Sequence, residues 1–191
     1  ADPRVRVIHT DHILGEAAAR NIGLKQSLGR NVVMLDTSVE VTGDLYGPLD
    51  STLQDPKIGI AGPFGLRTGD LHHFHEVSEP CEVDAMQSYC FAFRRGDLSK
   101  AGWMPESFRF YRNLDIQYSF QFKASGFHIL ANPSLPVRRH EHRTWTELAE
   151  DERENLSRDN FRRLLKRWEH REDLLVAPEH SHHHHQAIGG G

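Results

Sequence analysis

At 191 residues, 38% hydrophobic and 26% charged, the chain has the composition of one globular domain built on a single core. A net charge of −4 gives no electrostatic case for nucleic-acid binding, and no apolar run reaches the roughly 18 residues of a membrane span. No secretory signal opens the sequence, and Cys81 and Cys90 are too far apart for a C-x-x-C motif, so two free thiols in a cytoplasmic protein are expected, with a disulfide as the alternative.

In chain order, a helix is predicted over 13–28, rich in small residues at Ala17-Ala18-Ala19 and closed by Leu28-Gly29-Arg30. A strand over 31–36 follows, Asn31-Val32-Val33-Met34-Leu35-Asp36. Its unbroken apolar run predicts burial on both faces, as in a parallel sheet covered by helices. Ligands in open α/β sheets sit at the carboxyl ends of strands, which puts Asp36 where chemistry occurs; a strand-terminal Asp can equally be a turn former. A short helix near 44–54 stops before Asp55-Pro56, and a strand runs over 57–61. The stretch 62–80, rich in Gly, Pro and His, reads as a long surface loop. A strand over 88–94, a helix over 113–125 and a strand over 127–131 come next. A capping-box pattern at 144–147 opens a helical tail in which Leu156, Phe161, Leu164, Leu165 and Trp168 fall at helical spacing. That apolar face packs either on the core or on a second subunit. The run His182 to His185, ahead of a Gly-rich end, reads as a tag or disordered tail.

Several of these segments, in order, resemble the family-two glycosyltransferases. The helix Ala19-Arg20-Asn21-Ile22-Gly23 resembles the family's A-R-N-x-G helix, and Leu35-Asp36-Thr37-Ser38 resembles a strand ending in its Asp-x-Asp motif. Asp55-Pro56-Lys57-Ile58-Gly59-Ile60, Cys90-Phe91-Ala92-Phe93 with Ala101-Gly102-Trp103, Asp115-Ile116 through Gly126-Phe127, and Val137-Arg138-Arg139-His140 resemble its later elements. The resemblance covers roughly 5–145. It implies a truncated GT-A-like (Rossmann-like) α/β fold, a mixed sheet flanked by helices, over 1–145, with a helical extension over 146–176 and a tail over 177–191. Val5-Arg6-Val7-Ile8-His9 resembles the short strand ahead of the A-R-N helix, so the family's preceding strand-helix-strand unit is expected to be missing.

The resemblance also implies an activity: transfer of a sugar, with inversion, from a nucleotide-diphosphate sugar to an acceptor hydroxyl, assisted by Mg²⁺ or Mn²⁺. Asp36 and His140 are the implied metal ligands. Ser38 stands where the family has a second acid, and Glu40 is a substitute if the strand end bends. Arg20, Asn21, Asp36, Ser38 and Asp84 are the implied donor-binding residues, with a surface ion pair as the plain alternative for Arg20. Arg138 and Arg139 beside the histidines offer bonds to phosphate. Asn113 sits where the general base is most often found, and an amide takes up no proton at neutral pH. Asp115 is therefore the candidate base, or only a helix-start acid that suits the macrodipole. His140 can equally be an ordinary surface histidine. The cluster His72-His73-x-His75 is a Zn²⁺ candidate without a matched fourth ligand, or part of an acceptor-side loop. Ser38, Asn113 and the expected missing unit favour a second class, a non-catalytic binding module. A homo-oligomer is left open.

Overall fold

The computed structural model describes residues 2–140 and 148–177. The capping box at 144–147 and the His182 to His185 run lie outside the described residues. Helices are α1 (Glu16–Gln26), α2 (Tyr46–Leu53), α3 (Leu98–Ala101), α4 (Leu114–Ala124) and α5 (Glu150–Trp168). Strands are β1 (Asn31–Leu35), β2 (Val39–Val41), β3 (Ile58–Gly62), β4 (Gly65–Thr68), β5 (Phe74–Glu76), β6 (Cys81–Val83), β7 (Ala85–Met86), β8 (Cys90–Arg94), β9 (His128–Ala131) and β10 (Val137–Arg139).

The central sheet has five strands in the order β1-β8-β3-β9-β6, with β3 and β9 parallel and the other pairs antiparallel. Two smaller sheets, β5-β4-β7 and the ribbon β10-β2, flank it. The two-residue period of β8 sorts the core. Phe91 and Phe93 face α1 and α4 with Ala17, Leu24, Tyr118 and Phe122, while Cys90 and Ala92 face Leu45, Leu49 and Leu53 around α2. Helix α4 is buried on every side, because its second face, Ile116 and Phe120, meets Leu164 and Trp168 of α5. The indole of Trp168 lies 5.7 Å from the Phe120 ring and donates to Gln117 Oε1 at 2.7 Å. The apolar face of the tail helix thus packs on the chain's own core.

Three expectations are corrected. Strand β1 is not a parallel strand buried on both faces; it is an edge strand, paired antiparallel to β8, with alternating burial and Leu35 46% exposed. An apolar run can look doubly buried when one face carries only partly covered Val and Leu. The segment 62–80 holds β4 and β5, which form an antiparallel pair under α5, with Leu66, Leu71 and Phe74 supplying the apolar side. Its Gly and His content hid long-range packing. Val5, Val7 and Ile8 form no strand and are exposed.

Asp84 is fully buried and acts as a fold anchor. Its Oδ2 accepts from Thr68 N at 2.8 Å, and its Oδ1 accepts from Lys123 Nζ at 3.2 Å and from Val176 N at 2.7 Å. One carboxylate therefore joins the β4 turn, α4 and the segment after α5. Burial pulls the Lys123 ammonium below its ordinary value, and the Asp84 charge opposes that shift. Both cysteines are free, and burial pushes the Cys90 thiol up to about 12, which leaves it inert.

Candidate active site

A cavity of about 640 Å³ opens where β1 ends, bounded by the turn 87–89, the segment 109–113 and the start of α4. Asp36 and Asp115 both line it, 79 residues apart in sequence (115 − 36).

At one end, Asp36 follows β1 directly, and its amide donates to Tyr89 O at 2.9 Å. Its Oδ1 accepts from Ser38 N at 2.9 Å and from Ser38 Oγ at 2.7 Å, so the side chain folds the turn that starts β2. The Arg20 guanidinium lies 3.9 Å from Asp36 Oδ2 and is fixed by Glu16 Oε1 at 2.8 Å and Ser88 O at 3.1 Å. His140 follows β10, and its amide donates to Ser38 O at 2.7 Å, which brings it beside the Asp36-Thr37-Ser38 turn. The His140 imidazole is half exposed and bonds Glu40 Oε2 at 2.8 Å, holding the Glu40 carboxyl below its ordinary range. Glu40 therefore meets His140 across the ribbon.

At the other end, Asp115 Oδ1 accepts from its neighbour Ile116 N at 2.9 Å, and Oδ2 accepts from Ser88 N at 3.2 Å. Burial pushes its carboxyl up to about 6, against the lowering pull of those N–H groups and of the Arg20 charge. Asn113, immediately before α4, takes the left-handed conformation at φ 66, which Asn tolerates better than most residues. Its amide donates to Ser157 O at 3.4 Å. Asn113 thus shapes the chain ahead of Asp115.

The two ends meet at one backbone unit. Ser88 O accepts from Arg20, which sits beside Asp36, while Ser88 N donates to Asp115. Sequence reasoning missed Ser88, because its contribution is main-chain and carries no side-chain signature. It also missed the wall residues Arg109, Phe110 and Tyr111. Their aromatic run just ahead of the acid-bearing helix was the available signal.

The remaining candidates lie elsewhere. Asn21 is buried and exchanges two bonds with Met104, Nδ2 to O at 2.8 Å and N to Oδ1 at 3.1 Å; it does not line the cavity. Asp84 does not line it either. Arg139 pairs with Glu76 at 2.9 Å and lies 4.0 Å from the centre of the Phe64 ring. In the histidine cluster, His73 bonds Asp70 at 2.6 Å and His72 meets the Phe161 ring edge-on. Among the described residues, no three His, Cys, Asp or Glu side chains gather as a metal site.

The family model of glycosyl transferase family 2 matches residues 1–135. The chain belongs to that family. No curated protein matches the chain. Its fold is similar to that of GalNAc-T7, in a crystal structure with UDP, GalNAc and Mn²⁺, at TM-score 0.61 and 18% identity. The likeness covers 72% of this chain and 32% of that one, so the chain spans about a third of that protein's length. Within this GT-A-like family-two fold, α5 lies beyond the residues that the family model matches. Among the described residues, no helix is long and apolar enough to cross a membrane.

Proposed function

We propose that the protein transfers a sugar from a nucleotide-diphosphate sugar to an acceptor hydroxyl with inversion, assisted by Mg²⁺ or Mn²⁺. One observation carries the reading: Asp36 and Asp115 line the same cavity, where Ser88 N donates to Asp115 and Ser88 O accepts from Arg20, the ion-pair partner of Asp36. Family membership and the likeness to a protein crystallised with UDP and Mn²⁺ support it.

Asp115 is the general base. With its carboxyl near 6 it is ionised at neutral pH, yet more basic than an ordinary Asp. It takes the proton of the acceptor hydroxyl as that oxygen bonds to the anomeric carbon. The bond from that carbon to the diphosphate oxygen breaks on the opposite face, and its electron pair leaves with the diphosphate. Arg20, fixed by Glu16 and Ser88, holds positive charge beside Asp36, where the diphosphate is bound.

Asp36, Ser38 and His140 would hold the metal ion. The His140 amide bond to Ser38 O supports this choice, since it sets the His140 backbone beside the turn that bears Asp36 and Ser38, and a carboxylate, a hydroxyl and an imidazole form an oxygen and nitrogen set that suits Mn²⁺. A full cage of protein ligands is not required, since such ions are usually held by one or two carboxylates plus substrate phosphates. When bound, the ion supplies positive charge that offsets the charge building on the leaving diphosphate.

The second reading, a non-catalytic binding module, is favoured by the engagement of His140 with Glu40 and by Ser38 in the place of a second acid. Melting temperatures with UDP, GDP and dTDP, each with Mn²⁺ and then with EDTA, separate the two. A nucleotide at a hundred times its dissociation constant adds about 2.7 kcal/mol of stability, a rise of several degrees at this size. A rise that needs Mn²⁺ and disappears in Asp36→Ala supports the transferase site. No rise with any nucleotide contradicts a donor site in this chain.

A further inference from the structure

The wall 108–113 offers six backbone carbonyls, and each has a defined acceptor role. Phe108 O and Arg109 O accept from Ala17 N at 3.3 Å and Glu16 N at 2.7 Å, the first free amides of α1. Tyr111 O and Asn113 O accept from Leu114 N at 3.2 Å and Gln117 N at 3.0 Å, the first turn of α4. The other two, Phe110 O and Arg112 O, both accept from a single side-chain amide, Asn160 Nδ2, at 2.7 and 2.8 Å. Asn160 is 2% exposed, and its Oδ1 accepts from Arg163 Nη1 at 3.1 Å. One turn earlier on α5, Ser157 accepts from the Arg112 guanidinium at 3.1 Å and from the Asn113 amide at 3.4 Å.

The α1 contact requires Gly15. Its backbone is at φ 92, and a Cβ there would lie 2.9 Å from Arg109 Cα. Two helices thus hold the wall, α1 through its own amides and α5 through the buried Asn160 side chain together with Ser157. The two grips are not equivalent. Backbone amides are present in any sequence that forms α1, whereas the bonds from α5 to the Phe110 and Arg112 carbonyls require a side-chain donor at residue 160. Without the Asn160 donor these part-buried carbonyls must turn to water, which loosens the segment.

We infer that Asn160 is a positioning residue for the cavity: from α5, it fixes the 110–112 wall, and through that wall the approach of α4 that sets Asp115. The inference rests on the reading of Asp115 as the base, and it gives α5 a part in the site although the matched family residues stop before it.

The test uses Asn160→Asp, which keeps the shape and an acceptor for Arg163 but removes both N–H donors. Arg163→Ala keeps those donors and removes only the partner of Oδ1. Nucleoside diphosphate release from UDP-GalNAc and other nucleotide sugars is followed in the full chain, together with amide hydrogen exchange over 108–116. The expected result for Asn160→Asp is a fall in kcat of tenfold or more with KM within twofold of the wild type, and exchange faster at least tenfold at 110–116 but unchanged in β3 and β8. Arg163→Ala is expected to match the wild type in both readouts. Unchanged exchange at 110–116, or an unchanged kcat in folded Asn160→Asp, overturns the inference; a purely structural role lowers the melting temperature without moving kcat. If Asn160→Asp does not fold, Asn160→Ser, with one shorter donor, carries the same exchange and kcat criteria. A wild type without turnover contradicts the transferase reading, while exchange at the wall still decides what Asn160 holds.

Discussion

The two ends of the cavity are built differently. Asp115 sits at the start of a helix buried on every side, with both carboxylate oxygens on backbone amides and the preceding wall fixed by α1 and α5. Asp36 and His140 follow an edge strand and a two-stranded ribbon, held by a side-chain turn and by the bond of a half-exposed histidine to Glu40. Proton transfer needs a base fixed within a fraction of an ångström and shielded from water, and burial is what raises that base toward neutrality. Holding a charged diphosphate and its ion needs ligands that can exchange partners. The stiff end suits the chemistry, and the open end suits binding and release.

The sharpest way to break this comparison is Asp115→Asn. General-base loss is expected to cut transfer by about 10²- to 10⁴-fold while metal-dependent nucleotide stabilisation persists. Loss of that stabilisation in the variant would place Asp115 at the binding end instead. Next in size is Asp84→Ala, which leaves Lys123 buried without its partner. Denaturant unfolding should show about 3–5 kcal/mol lost. A loss under 1 kcal/mol would contradict its role as the anchor of the segment after α5.

The raised carboxyl of Asp115 predicts opposite pH signs for rate and stability. The rate rises as pH passes through about 6, because only the ionised form accepts a proton. Stability runs the other way. The folded state binds this proton more tightly than the unfolded chain, so its contribution is present below pH 4 and is lost as pH rises through about 6. Asp115→Asn should therefore melt higher relative to the wild type at pH 8 than at pH 4, by on the order of 1–2 kcal/mol. An offset independent of pH would contradict the raised value. The smallest expected effect on the fold is His140→Ala. It sits at a half-exposed ribbon end, so stability should change by no more than about 0.5 kcal/mol while the Mn²⁺-dependent nucleotide shift falls.

Much of this architecture was legible in short-range pattern. The helix bearing Arg20, the strand that leads into Asp36, the β8 apolar run and the helix that bears Asp115 all follow from local composition and resemblance. Features set by distant partners were not legible. The run Val32-Val33-Met34-Leu35 reads the same whether one face or both are covered, so its edge position stayed hidden. Segment 62–80 looked like a loop because Leu66, Leu71 and Phe74 find their apolar partners on α4 and α5, far along the chain. Asn21 and Asp84 are expected at the site from resemblance, and their positions away from this cavity depend on partners distant in sequence. Both bond backbone groups far along the chain.

The central claim is that the buried end performs proton transfer for the open end. The most direct measurement is nucleoside diphosphate release from a panel of nucleotide sugars across pH 4–9 in the wild type and Asp115→Asn, with Mn²⁺ present. The account predicts a wild-type limb near pH 6 and, in the variant, a rate at least 10²-fold lower with that limb abolished. Equal rates, or the same limb in both proteins, would contradict it.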